Sequence, residues 1–260
     1  MKKYGVLISL VCLLGFYQVA KAEQDSSVTS AQAQTGTKTG IVLTARPLLG
    51  FVNPKELNDL NSYSNAALGK VGFTGVDAPS MSNSLQAEIY LGYAFGEDLD
   101  VGAFFSMPPV STKTYSGTAP TKAAVTRTVG LKGTVLGVQG NYTFYRASGF
   151  KFYASPSVGL GTITVRDKLD GFAPADYDYL FDGKNAALRG SLGAAYQISS
   201  MFSVQLEGGY TYWTSGKMTH RNTTAKVAAG DTAQNTSGSD LVTNLSGPFV
   251  GLGMTIRYPI

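Results

Sequence analysis

Five charged side chains sit where they could do chemistry: Arg46, Glu88, Arg189, Glu207 and Arg257. Each stands in a stretch whose other polar residues are mainly Gly, Ser, Thr and Gln. Isolated carboxylates and guanidiniums of this kind can relay protons or ions, or they can neutralise one another as a buried ion-pair network. His220 is the single histidine. A general base needs a hydrogen-bonded group to orient it, but His220 is followed by Arg221-Asn222, with no spaced serine and no evident carboxylate. It reads as a solvated loop histidine, and no catalytic residue is assigned. Asp167, Asp170, Asp176, Asp178 and Asp182 gather in one segment. Calcium takes several oxygen ligands, yet Asp176-x-Asp178 is a weak cue, and the segment reads as a solvated acidic loop. With one cysteine, Cys12, and one histidine, no Cys- or His-based metal site can be built. Gly159-Leu160-Gly161 follows a strand pattern with no helical pattern after it, so it is not a nucleotide loop. No metal and no cofactor is expected.

The elements that must position these residues are strands. Apolar residues alternate with small or polar ones in eight segments: 41–51, 84–95, 99–107, 135–145, 150–165, 186–198, 202–213 and 249–258. Such alternation gives a strand with two different faces. In the second segment Leu85, Ala87, Ile89, Leu91, Tyr93 and Phe95 oppose Gln86, Glu88, Tyr90 and Gly92. In the seventh, Val204, Leu206, Tyr210 and Tyr212 oppose Gln205, Glu207 and Thr211. A soluble sandwich would carry a charged outer face. Here the polar face is poor in Lys, which suits a narrow lumen, with the apolar face meeting lipid. A sheet in a membrane must close, because unpaired edges cannot hydrogen-bond in hydrocarbon.

The connections alternate in length. Those at 96–98, 147–149 and 199–201 are tight, whereas 53–83, 108–127, 166–184 and 215–246 are long. Short turns on one side and long loops on the other are the arrangement of barrels that cross the outer membrane. Phe95, Phe144, Phe150, Phe152, Tyr196, Phe202 and Tyr258 flank the tight turns or the C-terminus as one aromatic girdle. Phe51, Phe105, Tyr210 and Tyr212 form a sparser second one. Pro47 and Pro156 fall inside strands, where each removes a ladder donor, so a local bulge is expected near each. Lys132 has lipid-side parity if the fourth strand is long, and its end must then project beyond the membrane. Asn53-Pro54-Lys55-Glu56 reads as the start of a short loop helix capped by Asn53.

The ends and the composition agree. Lys2 and Lys3, an apolar run over 6–16 and Ala20-Lys21-Ala22 form an export signal over 1–22. Residues 23–39 are polar and low in complexity, a flexible periplasmic leader; the barrel domain is 40–260. Without Lys2, Lys3 and Lys21, 18 basic side chains face 17 acidic ones, so the pI near 9.0 is no nucleic-acid footprint. No nucleic acid is expected as a partner. Apart from the signal, no run is long and apolar enough for a membrane helix.

The chain from Gly40 to Ile260 resembles the eight-stranded outer-membrane barrels of the OmpA, OmpX, OmpW and opacity-like surface types. The most local match is the final strand, Gly251-Leu252-Gly253-Met254-Thr255-Ile256-Arg257-Tyr258. Gly253, Ile256 and Tyr258 in it look like the terminal barrel-assembly signal, although Pro259-Ile260 follows where the family ends on an aromatic residue. The resemblance implies an all-β, eight-stranded antiparallel up-and-down transmembrane barrel with four long external loops, in the bacterial outer membrane. It does not extend to the peptidoglycan-binding half of OmpA-type proteins. Outer-membrane lipid, the barrel-assembly machinery and a host or surface ligand held by the loops are the implied partners.

Eight strands leave an interior just wide enough for side chains. Arg46, Glu88, Arg189, Glu207 and Arg257 are therefore read as a structural lumen network, with Arg46 between Glu88 and Arg257 and with Arg189 against Glu207. The function expected is that of a non-enzymatic surface barrel for envelope or adhesion roles. A small OmpW-like channel for small or apolar solutes is the alternative, and an outer-membrane lipid-modifying enzyme the second.

Overall fold

The computed structural model describes residues 39–107, 111–173, 176–222 and 228–260. The segments read as export signal and leader lie outside these residues, Thr39 excepted. Ten strands and one helix follow in order: β1 Gly40–Phe51, α1 Lys55–Lys70, β2 Asn83–Ala94, β3 Leu99–Met107, β4 Ser111–Thr118, β5 Ala124–Ala147, β6 Phe150–Asp170, β7 Tyr177–Gln197, β8 Phe202–Trp213, β9 Thr219–His220 and β10 Gly247–Pro259.

Eight of the strands close a ring. Pairing runs β3-β2-β1-β10-β8-β7-β6-β5, and β5 returns to β3. All pairs are antiparallel. The alternation dictates which side of each strand faces inward. In β1 Val42, Thr44, Arg46 and Leu48 are buried while Ile41, Leu43, Leu49 and Phe51 are exposed. Buried residues with small or polar neighbours therefore line the interior, and large apolar side chains clothe the outside. On β6 the outward apolar face runs from Phe150 to Leu160, with Lys132 of β5 opposite Thr164 just beyond it. Ten residues of tilted strand rise roughly 25 Å, the height of a hydrocarbon belt. Lys132 thus stands outside the belt, as its charge requires.

The tight turns have the chemistry their length demands. Ala147 and Phe150 are joined by Ser148 and Gly149, whose φ values are 46° and 87°. Two consecutive positive φ values make the hairpin turn that matches strand twist.

Both prolines depart from expectation. Pro47 faces Ala87 in unbroken register, and the β1–β10 register is the same on either side of it. Pro156 faces Gly190, again without a register shift. An antiparallel residue points its N–H at only one neighbour, so each proline removes a single bond from one ladder and needs no inserted residue. The register shift in the described ladders falls between Thr143 and Tyr145, at the tight-turn end.

Two of the long connections are mostly β-structure. β5 begins at Ala124 and pairs with both β3 and β4, so β4 and the first part of β5 form a hairpin beyond the end of β3. β6 and β7 stay paired from Phe150–Tyr196 up to Leu169–Tyr177. The outward positions of these extensions are Thr, Lys, Arg and Asp instead of Leu and Val, which is why apolar alternation stops at the membrane while the strands continue. α1 covers the top with Leu57, Asn61 and Leu68 buried. Its cap is Pro54, with no side-chain capping bond, so Asn53 is not the cap expected. Asn53 instead accepts from the Lys55 N–H through its carbonyl, at 2.8 Å.

The interior packs in two clusters. One runs up the barrel through Tyr90, Phe104, Val135, Ile163 and Trp213 to Met218, Leu241 and Leu245 of the last loop. The other joins Leu68, Phe73 and Val76 to Val125 and Leu169 of the outer hairpins.

Candidate functional site

Four of the five lumen charges meet. Register places Arg46 directly opposite Glu88. Arg46 Nε donates to Glu88 Oε1 at 2.7 Å, Nη1 to Glu207, and Nη2 to Gln139 Oε1 at 2.7 Å. Arg189 reaches across the lumen to Glu88, with Nη2 at 2.9 Å from Oε1, and also donates to Gln139 Oε1 at 2.8 Å. Glu207 accepts in addition from Ser191 Oγ at 2.5 Å and Tyr153 Oη at 3.3 Å. Arg46, Glu88 and Glu207 are no more than 3% exposed, and Gln139 is 1% exposed. Two guanidiniums and two carboxylates balance to zero, and each carboxylate has several donors. That is the condition under which buried charge is tolerable.

Two expected pairs differ. Arg189 bonds Glu88, not Glu207, because its guanidinium crosses the lumen between the Phe104 and Phe249 rings, 5.2 and 5.3 Å from their centroids. Arg257 is not beside Arg46, since it stands opposite Val42, four residues nearer the tight-turn end. Its contact is Asp100, at 3.9 Å.

Sequence reasoning missed the polar chain that joins these ends. Gln139 Nε2 donates to Asn141, Asn141 Nδ2 donates to Asp100 at 2.6 Å, and Tyr90 Oη donates to Asp100 at 2.5 Å. Gln139, Asn141 and Asp100 have inward parity, and that parity is the signal the sequence carries for them. Glycine makes the packing possible: a Cβ at Gly193 would lie 2.3 Å from Tyr153 Cζ, and one at Gly253 would lie 3.0 Å from Arg46 Cβ. Gly253 thus faces inward under Arg46, while Ile256 and Tyr258 of the same strand face out.

A second buried pair stands above the belt. Arg127 Nε and Nη2 donate to Asp167 Oδ1 and Oδ2 at 2.9 and 2.7 Å. Arg127 Nη1 donates to Asn65 Oδ1 of α1 at 2.6 Å. Arg127 is fully buried and Asp167 is 7% exposed. Asp167 is therefore no solvated loop acid. Its neighbours are paired too: Arg166 with Asp178, and Lys168 with Asp170. The Arg166 hydrogen bonds hold Asp178 below the usual carboxylate range. Among the described residues no group of three or more metal-ligating side chains assembles.

His220 is not solvated either. β9 pairs it with Phe181, and its ring lies edge-on to Phe181 at 4.7 Å and to Tyr179 at 6.1 Å. It is 8% exposed, and Nδ1 has no hydrogen-bond partner among the described residues. Burial pushes its pKa below the ordinary imidazole value. The loop folds over because Met218, Ala233 and Leu241 beside it are apolar and sink into the barrel top.

A closed antiparallel ring of eight strands, an apolar outer belt bounded by aromatic rings and a polar interior define an eight-stranded β-barrel of the bacterial outer membrane. No protein-family model and no curated protein matches the chain. Among solved structures it is similar to Neisserial surface protein A, with 14% identity over 84% of this chain and 97% of that one, TM-score 0.48. It is also similar to Ail, the attachment invasion locus protein of Yersinia pestis, with 10% identity, 84% and 99% coverage and TM-score 0.44. OprG of Pseudomonas aeruginosa has 14% identity, 86% and 98% coverage and TM-score 0.45.

Proposed function

We propose that this chain is a non-enzymatic surface barrel: a closed membrane anchor that holds an ordered external platform for loop-mediated binding in an envelope or adhesion role. The observation that carries the reading is the lumen network. Arg46, Glu88, Arg189, Glu207 and Gln139 bond one another across the interior. Above them, Arg127–Asp167, Asn65 and the buried residues of α1 tie the outer hairpins to the helix. An array so heavily bonded presents a fixed surface, which is what recognition from loops requires. A catalytic reading is disfavoured because His220 faces two aromatic rings and lacks an orienting partner. Outer-membrane lipid surrounds the belt, and the barrel-assembly machinery reads the final strand through Gly253, Ile256 and Tyr258. The test is single-channel recording on the refolded protein in planar bilayers. Wild type is expected to conduct poorly, and Arg46→Ala with Glu207→Ala to conduct measurably. A large steady conductance in wild type would favour the alternative, a channel for small or apolar solutes.

A further inference from the structure

Directly above the ion-pair network lies a cavity of about 250 Å³. Its apolar wall includes Phe104, Leu131, Val135, Ala187 and Leu245, with Gln86, Ser106 and Thr211 also lining it. Its polar groups are unusual. Ser157 Oγ, Arg189 Nε and Trp213 Nε1 all belong to residues that line it, and none of these three buried atoms has a hydrogen-bond partner among the described residues. Ser157 and Arg189 are direct cross-strand neighbours, and Trp213 stands opposite Ala187, two residues from Arg189 on the same face. Ser157 and Arg189 therefore meet on adjacent strands, while the Trp213 indole N–H stands further out, against Gly161. Their residues are more than nine-tenths buried, with Ser157 8% exposed, Trp213 2% and the Arg189 side chain 7%.

Buried donors are normally satisfied, and leaving one unpaired costs about 1–3 kcal/mol. Two of these groups can only donate, and the third, a hydroxyl, can donate as well. A guest that satisfies them must present acceptors. It need not bring charge, because the two arginines and two glutamates below already balance; a carboxylate would be an extra buried anion, facing only the exposed Lys113 at the mouth. The apolar walls ask for a hydrocarbon body. At roughly 15 Å³ for a water-sized guest, the space takes on the order of fifteen non-hydrogen atoms.

We propose that this cavity is a binding chamber for a medium-length acyl chain with an uncharged carbonyl head, an amide or an ester. The head accepts from Ser157 and Arg189, and the chain runs outward along Val135 and Leu131. A free amphiphile from outside and the ester-linked chain of a membrane lipid share this chemistry.

Trp213 is the single tryptophan of the sequence, so it reports on the chamber directly. The protein is reconstituted in phosphatidylcholine vesicles and titrated with 11-bromoundecanamide, whose bromine quenches indole fluorescence. Saturable quenching is expected. Undecanamide should reverse it and undecylamine, whose ammonium head cannot accept, should not. Ser157→Ala should weaken apparent affinity roughly fivefold to tenfold, the loss of about one hydrogen bond. Folding of the variant is checked by its heat-shifted gel mobility; should it not fold, the competition series on wild type decides. In a parallel arm the vesicles carry acyl-brominated phosphatidylcholine and no amide. Quenching there that undecanamide relieves identifies the occupant as a lipid chain, and its absence identifies a free amphiphile. Quenching linear in probe without saturation, equal competition by the amine, or an unchanged response in folded Ser157→Ala would overturn the proposal.

Discussion

Glu207 illustrates how one side chain can govern several others. It takes a guanidinium from Arg46, a hydroxyl from Ser191 and a phenol from Tyr153. Replacing it with alanine leaves Arg46 half-paired in a dry interior, and breaking such a pair costs about 3–5 kcal/mol. Removing Arg46 as well leaves Arg189 and Glu88 as an intact neutral pair. Glu207→Ala is therefore expected to lower the urea midpoint of unfolding in detergent more than Glu207→Ala with Arg46→Met does. His220 supplies a pH effect. Its pKa is lowered by burial, so the folded state resists protonation that the unfolded loop accepts. Stability of the loop over the barrel top is whole at pH 7.5 and falls as pH drops through the ordinary imidazole range, levelling off once the folded pKa is passed. Amide protection over 228–245, taken relative to the intrinsic exchange rate at each pH, should fall between pH 7.5 and pH 5 in wild type and stay level in His220→Phe. The inward placing of Arg46 and Glu88 was legible from parity alone. Their pairing was legible too, from strand order; the bonds of Arg189 to Glu88 and of Arg46 to Glu207 were not, because parity fixes a side of the wall and says nothing of how far a guanidinium reaches across a lumen.

At the scale of elements, the membrane strands were readable and their continuations were not. The eight alternating segments match the ring strands, since each has lipid on one side and small residues on the other. Above the belt the outward positions turn polar while Val125, Val129, Ile163, Val165 and Leu169 face inward, so the apolar residues change sides and the stretch no longer reads as a lipid-facing strand although the ladder persists. Arg127 and Asp167 were hidden for the same reason: each is a charged residue in what read as a loop. Their pair clamps the outer hairpin to α1 through Asn65. Asp167→Asn should cost about 3–5 kcal/mol locally, whereas Arg127→Met with Asp167→Leu should cost far less. Limited proteolysis of intact cells, followed at α1 and β4, distinguishes the two, because the membrane strands stay protected in both. Deleting 219–239 removes buried His220 and Ala233 from the barrel top. The ring is expected to remain folded and heat-resistant in detergent, with Trp213 newly open to acrylamide quenching. Retained shielding of Trp213 would show that other segments close the top.

For the whole molecule, the sequence speaks most plainly about compartment. A processed chain from the membrane fraction is expected to begin at Glu23 by mass spectrometry, and an intact Met1 or a lipid on Cys12 would contradict the export reading. What the fold adds is continuity. β5, β6 and β7 each cross the lipid belt and extend beyond it as one unbroken strand. A tether fastened to the hairpin tips would pull along the strands, so that ladder bonds are loaded in shear and yield together. Loops joined at flexible corners would instead peel one bond at a time. Mechanical force from a moving fluid or a retreating surface would thus pass straight into the ring gripped by the membrane.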